Sequence, residues 1–502
     1  MSNIRRQSLI SSVIIYGGFV LGFVNTYLFT MEGGFTPSQY GLVGLFIAIG
    51  NIMYSCAALG MHAFIYKFYP YYNDNLPPKK NDILTVALGT ALVGFILVVI
   101  AGIVFKDLVV RKFSENSRDL VVYYEWLFPF GFGLTIYSIL EAYAWQQKAS
   151  VLTNTLKEVV FRLLTTLLIV LTFAGLIRNF DIFVRWYSLT FLFIAMVLLG
   201  YLGYKRRMHL PLTISRVTRK FYKKIIALAT FIWTGNLVYT LANVFDSIII
   251  ASVLPNGLAS VGVYTLAQNI TSLIQAPQRG IISAAIAPLS RAWKDKDFAK
   301  ISRIYKHASI NQLIFSLGMF LLIWLNFTDG VFTFNLKTGY LDARYVFFFL
   351  GLMRVIDMAT GLNAQIIGTS TFWRFEFYTG IVLLAIMLPL NYILTKQIGI
   401  IGPAISNLVA FTIYNAIRYF FLYRRFQLQP FTMKSIYALG LGLVAYAIAY
   451  WIGLGETGFL WIVLRSTVFC LVYLLGIVFF ELSPDLLSIL TVMRERIRGL
   501  RK

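Results

Sequence analysis

The sequence predicts an all-α polytopic membrane protein of about 14 transmembrane helices, with two six-helix lobes followed by two C-terminal helices. Composition is the first reason, since 58% of the 502 residues are hydrophobic and only 13% are charged, against about 25% charged residues in soluble domains. The mean hydropathy of +0.73 agrees. The third reason is the recurrence of apolar runs of about 20 residues, the length that crosses the hydrocarbon core.

Fourteen apolar segments are predicted to be helices. The first six cover 8–29, 40–70, 83–105, 119–146, 152–176 and 182–204. The next six cover 223–253, 260–290, 307–327, 343–369, 373–396 and 399–424, and the last two cover 434–453 and 459–480. Turn-forming pairs such as Thr36-Pro37 and Pro77-Pro78 separate neighbouring segments, and Gly402-Pro403 lies near the start of the segment 399–424.

The distribution of charge predicts the orientation. With the N-terminus in the cytoplasm, inner segments hold 30 of the 44 Lys and Arg residues and outer segments hold nine. This asymmetry follows the positive-inside rule and accounts for the net charge of +23 without nucleic acid as a partner. Both termini are therefore expected in the cytoplasm, and the N-terminal apolar run, which lacks a cleavage site, is expected to remain as the first helix.

The two halves of the chain form a predicted repeat. A shift of 221 residues places Gln39–Leu42 over Ser260–Val263 and Asn25 over Asp246. Because six helices precede the second copy, both copies start from the cytoplasm, and the pseudo-two-fold axis would lie along the membrane normal. The predicted domains are an N-lobe at 1–204, a basic cytoplasmic linker at 205–222, a C-lobe at 223–424, and a C-terminal region at 425–502 with helices 13 and 14 and a basic tail.

Ionisable residues inside predicted helices are the first candidates for function. A charged side chain at the bilayer centre costs about 2.5 to 3.5 kcal/mol on insertion scales, so it is expected to face a cavity or a partner. Asp246, Arg279, Arg354 and Asp357 meet this criterion. Arg354 and Asp357 have i, i+3 spacing, so a structural ion pair is the alternative for them. For Arg279 the alternative is snorkelling to the inner membrane surface.

Other charged residues are assigned to structure. Glu141, Glu158 and Arg162 are predicted to form a mutually paired cluster, and Arg418 and Arg465 are predicted to snorkel from helix ends. Catalytic, cofactor and metal sites are not predicted. The two cysteines, Cys56 and Cys470, and the three histidines are scattered, and no phosphate-binding G-x-x-x-x-G-K-[ST] motif occurs.

Several short motifs carry a resemblance to a known family. They are RQSLIS at Arg6–Ser11, TPSQYG at Thr36–Gly41, DSIII at Asp246–Ile250, the proline-ended eighth helix, and RVIDMATGLNAQIIGTS at Arg354–Ser370 followed by Trp373-Arg374-Phe375. The chain resembles bacterial polysaccharide flippases of the O-antigen type, in the multidrug/oligosaccharidyl-lipid/polysaccharide exporter superfamily. The resemblance extends over nearly the whole chain. It implies alternating access that moves an undecaprenyl-pyrophosphate-linked oligosaccharide from the inner to the outer leaflet of the bacterial inner membrane.

This function assigns roles to the candidate residues. A pyrophosphate is a bulky anion that arginine binds well, so Arg279 and Arg354 are the predicted substrate-binding residues. Asp246, Asp357 and Asn25 are candidates for ion coupling, with H⁺ or Na⁺, or for structural polar contacts. Membrane lipids and polysaccharide assembly proteins are the other expected partners. A cation-coupled drug or metabolite antiporter of the same superfamily and a membrane-embedded polysaccharide synthesis enzyme are the alternatives.

Overall fold

A computed structural model describes the backbone of residues 3–453 and 455–483, with side chains except at 3–13, 279, 283, 287 and 373. The helices up to residue 204 are α1 (Asn3–Thr30), α2 (Pro37–Ala57), α3 (Met61–Asn75), α4 (Ile83–Val104), α5 (Lys106–Phe113), α6 (Arg118–Val122), α7 (Leu127–Gln146), α8 (Ser150–Asn154), α9 (Phe161–Phe173), α10 (Phe180–Ser188) and α11 (Thr190–Tyr204). Those that follow are α12 (Arg216–Val253), α13 (Gly257–Ser272), α14 (Gln278–Lys294), α15 (Phe298–Thr333), α16 (Ala343–Ala359), α17 (Asn363–Thr369), α18 (Trp373–Ile398), α19 (Ile401–Phe426), α20 (Met433–Trp451) and α21 (Phe459–Phe479).

The chain is an all-α, multi-pass membrane protein. Within the described residues, ten helical stretches are long and apolar enough to cross a membrane. An eleventh is present if Thr338–Ala359 and α17, which are bent by 46°, form one span. The predicted segments 8–29, 152–176 and 260–290 are also helical but are interrupted or have short apolar stretches. The count of fourteen transmembrane helices stays a prediction.

The predicted helix 40–70 is two helices, α2 and α3. The chain turns at Leu59 and Gly60, whose φ angles are 44° and 73°. Glycine is required at the second position for two reasons. Positive φ favours it, and a Cβ there would clash with the carbonyl oxygen of Ala229. The apolar run continues through this break, which is why hydropathy alone did not reveal it.

A capping box starts α2 three residues before the predicted segment 40–70. Thr36 Oγ1 accepts from Gln39 N at 3.2 Å, and Gln39 Oε1 accepts from Thr36 N at 2.9 Å, which is a capping box. Pro37 occupies the first helical position, where no N–H is needed. The T-P-S-Q sequence thus sets where α2 begins.

Two compact units divide the described chain at residues 262 and 263. In the first unit, aromatic side chains from α7, α10 and the turn between α1 and α2 pack in the core: the rings of Phe183 and Phe35 are 5.0 Å apart, and those of Phe130 and Tyr187 are 5.5 Å apart. In this unit α12 packs against α2 and α3. The four predicted domains, including the linker at 205–222, stay a prediction, and the basic tail at 484–502 lies outside the described residues.

In the second unit, the last two helices dock on α15. Tyr473 Oη donates to Ile314 O at 2.9 Å, and Asn326 Nδ2 donates to Ser466 Oγ at 3.1 Å. Residue numbers rise on α15 as they fall on α21, so the two helices are antiparallel. Gly442 of α20 meets Leu317, also on α15, where a Cβ would lie 2.8 Å from its Cδ2 atom.

Candidate functional site

A cavity with four charged side chains lies in the first unit, between α2, α7 and α9. Its volume is about 260 Å³, and Glu141, Lys157, Glu158 and Arg162 line it. Lys157 Nζ is 3.4 Å from Glu141 Oε2, and Arg162 Nη2 is 2.8 Å from Glu158 Oε2. The predicted pairing of Glu158 with Arg162 is confirmed. The partnership of Lys157 with Glu141, and the cavity itself, were not predicted.

A π-helical segment, Thr155–Val160, positions two of these residues between α8 and α9. Segments of this kind are rare and frequently occur at functional sites. The helix α1 approaches it closely, since a Cβ on Gly18 would lie 2.7 Å from Glu158 O. Arg162 also donates to Gly18 O. Gly18 therefore allows the backbone of α1 to come near enough to bind the guanidinium.

Asn25 bridges α1 and α9 two turns of α1 beyond Gly18. Its Nδ2 donates to Arg162 O at 2.9 Å, and its Oδ1 accepts from Thr166 Oγ1 at 2.6 Å. Both ends of the carboxamide thus bind the same helix. The two roles predicted for Asn25, ion coupling and a structural polar contact, stay predictions.

Asp246 lies on α12 and is 2% exposed. It is followed by a buried stretch that includes Ile249, Ile250 and Ala251. Burial of a carboxyl group is expensive unless it is compensated, so the position satisfies the criterion that singled it out in the sequence. The two roles predicted for Asp246, ion coupling and polar helix packing, stay predictions.

In the second unit, Asp357 belongs to a cluster of amide and hydroxyl groups. Asn415 Nδ2 donates to Asp357 Oδ1 at 3.0 Å, and Gln278 Nε2 lies 3.5 Å from Asp357 Oδ2. Asn363 Nδ2 donates to Asn415 Oδ1 at 3.0 Å, and Thr360 Oγ1 lies 3.2 Å from the same oxygen. The cluster joins α14, α16, α17 and α19 around one carboxylate.

The two arginines predicted to bind substrate lie on helices that meet at this cluster. Arg354 is one turn before Asp357 on α16, and its guanidinium carbon is 6.0 Å from the centroid of the Phe411 ring. The side chain of Arg279 lies outside the described part of the structure. Its neighbour Gln278, however, reaches Asp357, so the start of α14 is beside the cluster. Substrate binding by Arg279 and Arg354 stays a prediction.

Arg418 was wrongly predicted to snorkel. It is 3% exposed and is paired with Glu376 and with the hydroxyl of Tyr414. Its guanidinium carbon is 3.6 Å from the centroid of the Tyr414 ring, which adds a cation–π contact. The i, i+4 spacing of Tyr414 and Arg418 was a signal in the sequence. The contact with Glu376 had no such signal, because Glu376 lies on another helix, α18.

Arg465 was also wrongly predicted to snorkel. It forms an ion pair with Asp329 of α15 and donates to the carbonyl oxygens of Gly453 and Glu456. The side chains of Arg465 and Asp329 are 10% and 12% exposed. The hydrogen bonds to the turn between α20 and α21 both come from Nη2 of the guanidinium. The guanidinium of Arg465 therefore finds its counter-charge and its hydrogen-bond acceptors inside the protein and not at the membrane surface.

The amino-acid sequence matches no protein-family model and no curated protein. Solved structures do match. A structure of the lipid II flippase MurJ, in an inward-closed conformation, has a TM-score of 0.74 at 15% identity and covers 95% of this chain and 100% of that one. An inward-facing multidrug resistance transporter of the MATE family, in the MOP superfamily, has a TM-score of 0.65 at 15% identity. It covers 85% of this chain and 95% of that one. A MATE protein in a bent conformation has a TM-score of 0.53 at 16% identity and covers 88% and 96%.

The chain has the fold shared by these MurJ and MATE structures. The resemblance seen in the short motifs is thereby confirmed at the level of fold. At identities of 15–16% the comparison does not extend to the substrate.

Proposed function

We propose that this protein is an alternating-access transporter that moves an undecaprenyl-pyrophosphate-linked oligosaccharide across the bacterial inner membrane for surface polysaccharide assembly. The observation that carries the proposal is the match with MurJ over 95% of this chain and all of that chain. The inward-facing MATE structure covers a smaller share, 85% of this chain. The more complete match with MurJ favours the flippase over the drug or metabolite antiporter, which remains the second candidate.

The positions of the helices support two repeats of six. The helix α2 begins at Pro37 and α13 at Gly257, and the pair α10 and α11 (180–204) corresponds to α19 (401–426), each shifted by about 221 residues. Folds of secondary transporters are often built from such repeats, with the substrate between them. We therefore retain the N-lobe at 1–204 and the C-lobe at 223–424.

A reciprocal contact between α2 and α13 supports a two-fold relation between the repeats. A Cβ on Gly41 would clash with Leu258 O, and a Cβ on Gly262 would clash with Pro37 O. Gly41 corresponds to Gly262, and Pro37 to Leu258, at the shift of 221 residues. When residue i contacts j and their equivalents make the same contact in reverse, the contact surrounds a two-fold axis. The pseudo-two-fold axis would therefore pass between Gly41 and Gly262.

Ion pairs involve three of the arginines that lie inside predicted helices. Arg162 is paired with Glu158, Arg418 with Glu376, and Arg465 with Asp329. Their charges are compensated within their own unit. Arg279 and Arg354 remain the residues proposed to bind the pyrophosphate, with Asp246 and Asp357 proposed for coupling to H⁺ or Na⁺.

Substitution of Arg279 tests the function. Lysine keeps the charge but loses the bidentate geometry, and glutamine keeps hydrogen bonding but loses the charge. Export of the lipid-linked glycan in a flippase-deficient strain, normalised to the amount of membrane protein, is expected to fall in the order Arg, Lys, Gln. The matched control is Arg291→Gln at the other end of α14, where the side chain is 80% exposed and export should be unchanged. Normal export by Arg279→Gln would exclude Arg279 from the mechanism and leave Arg354.

Cysteine labelling tests the proposed orientation. In a protein with Cys56 and Cys470 replaced by alanine, Leu212→Cys should react with a membrane-impermeant maleimide only from the cytoplasm, and Asn256→Cys only from the periplasm. Leu212 is 95% exposed, so access to the reagent is not limited by burial. The expectation rests on the excess of basic residues in the inner segments. Reaction of both positions from one side would contradict the topology with both termini in the cytoplasm.

A further inference from the structure

A second cavity, with mainly apolar walls, lies in the first unit between α3, α4 and α12. Its volume is about 350 Å³, within the range of about 300–1,000 Å³ typical of ligand sites. Leu59, Val86, Ile225, Ile226 and Trp233 supply much of the wall. Ile226 is 60% exposed, so this groove opens along the surface of α12.

At the end of the groove near Trp233, α12 makes close contacts with α2 and with the turn between α2 and α3. Trp233 Nε1 donates to Ser55 O at 3.0 Å. Gly60 approaches the carbonyl of Ala229, where no Cβ would fit. These contacts fix α12 against its neighbours, so the groove is a feature of the packed fold.

The other end, on the predicted cytoplasmic side, is closed by hydrogen bonds. Tyr72 Oη is 2.7 Å from Thr218 Oγ1, and Asp82 Oδ2 accepts from Ser215 N and from Thr218 Oγ1, both at 2.8 Å. Asp82 is buried, and these two donors stabilise its carboxylate. The end wall is therefore polar, in contrast to the apolar sides.

Basic side chains lie on the open face beside this polar end. Arg219 and Lys223 are one turn apart, and Ile226 follows three residues later, so all three share a face of α12. Lys223 Nζ is 5.9 Å from the ring centroid of Tyr222, which also lines the groove. The apolar groove therefore ends next to two exposed cations, Arg219 and Lys223.

We propose that this groove binds an anionic phospholipid of the inner leaflet, with an acyl chain against Ile225 and Ile226 and the phosphate between Arg219 and Lys223. The apolar wall suits a hydrocarbon chain, which gains free energy in proportion to the area it buries. The cations suit a lipid that carries net negative charge at the cytoplasmic surface. A zwitterionic lipid would place its acyl chain on the apolar wall but would bind the cations less strongly. A free phosphate would make no contact with the apolar wall.

Fluorescence quenching in liposomes tests the proposal on the full chain. Trp233 lines the groove, so brominated acyl chains bound there should quench it. The signal is isolated as the difference between the wild-type protein and Trp233→Phe, because the chain has nine tryptophans. The two probes are phosphatidylglycerol and phosphatidylcholine with the same brominated chains, each diluted in unlabelled phosphatidylcholine.

Phosphatidylglycerol is expected to quench Trp233 at lower mole fraction than phosphatidylcholine. Each basic side chain removed should weaken its apparent affinity about fivefold, because a Lys or Arg near an anionic surface contributes about that factor. The preference should be lost in the Arg219→Gln, Lys223→Gln protein and kept in the control Lys294→Gln, Lys300→Gln, which alters another exposed basic segment. Thr230→Phe, on the wall of the groove, should reduce quenching by both lipids.

Equal quenching of Trp233 by the two lipids would overturn the proposal. A preference that persists without Arg219 and Lys223 would also overturn it. Stronger competition by undecaprenyl phosphate than by unlabelled phosphatidylglycerol would assign the groove to a different lipid and refute the phospholipid. Native mass spectrometry of retained phosphatidylglycerol provides a second readout if Trp233→Phe is poorly folded.

Discussion

Replacing Asp329 with asparagine is expected to lower the free energy of unfolding by about 3–5 kcal/mol, because the substitution leaves Arg465 buried without its counter-charge. Both side chains are nearly inaccessible, so solvent cannot replace the carboxylate. The carbonyls of Gly453 and Glu456 accept from the guanidinium but carry no net charge. The loss of stability is measured as a lower midpoint of thermal unfolding in detergent, with size-exclusion chromatography used to detect the folded protein that remains at each temperature.

Two further variants separate the buried charge from the loss of a contact. The double variant Asp329→Leu, Arg465→Met should recover most of the stability, since replacing a buried ion pair by apolar groups is often neutral. The control is Asp181→Asn, which breaks the 2.8 Å pair with Arg185 where the two side chains are 42% and 54% exposed. Exposed pairs contribute about 0–1 kcal/mol. An equally small effect of Asp329→Asn would show that Arg465 finds solvent or a lipid phosphate.

Alanine at Gly41 or at Gly262 is expected to lower both thermal stability and glycan export. A Cβ on Gly41 would lie 2.8 Å from Gly262 N in addition to its clash with Leu258 O, so α2 and α13 must separate. Overpacking of this kind costs about 1–3 kcal/mol. Because the contact is reciprocal, the two substitutions should have similar effects. Their combination should cost less than the sum, since one separation of the helices relieves both clashes.

The control for this pair is Gly200→Ala in α11, where no atom lies within 4 Å of the added Cβ. Alanine is favoured over glycine within a helix by about 0.5–1 kcal/mol, so this variant should be as stable as the wild type or slightly more stable. Unfolding midpoints and export are measured for all four proteins. Strongly unequal effects at Gly41 and Gly262 would contradict the pseudo-two-fold relation proposed for α2 and α13.

The sequence by itself determined the properties that depend on local composition. Long apolar segments predict membrane-crossing helices because burial of the backbone in lipid requires internal hydrogen bonds. The start of α2 is also local, because its capping box is made within the four residues Thr36-Pro37-Ser38-Gln39, just before the predicted segment 40–70. The short motifs resembled a family of exporters, and the structure confirms that resemblance for the fold. The pairing of Glu158 with Arg162 was also predictable, because i, i+4 residues meet on any helix.

Only the tertiary structure decided which distant residues meet. Arg418 and Arg465 looked like residues that reach a nearby membrane surface, whereas their partners Glu376 and Asp329 lie 42 and 136 positions away in the chain. The break at Gly60 likewise depends on the approach of the Ala229 carbonyl from α12. Hydropathy records the polarity of each position but not the neighbour that packing brings to it. The partner of a buried charge is therefore determined by helix packing, while the presence of the helix is determined by its own residues.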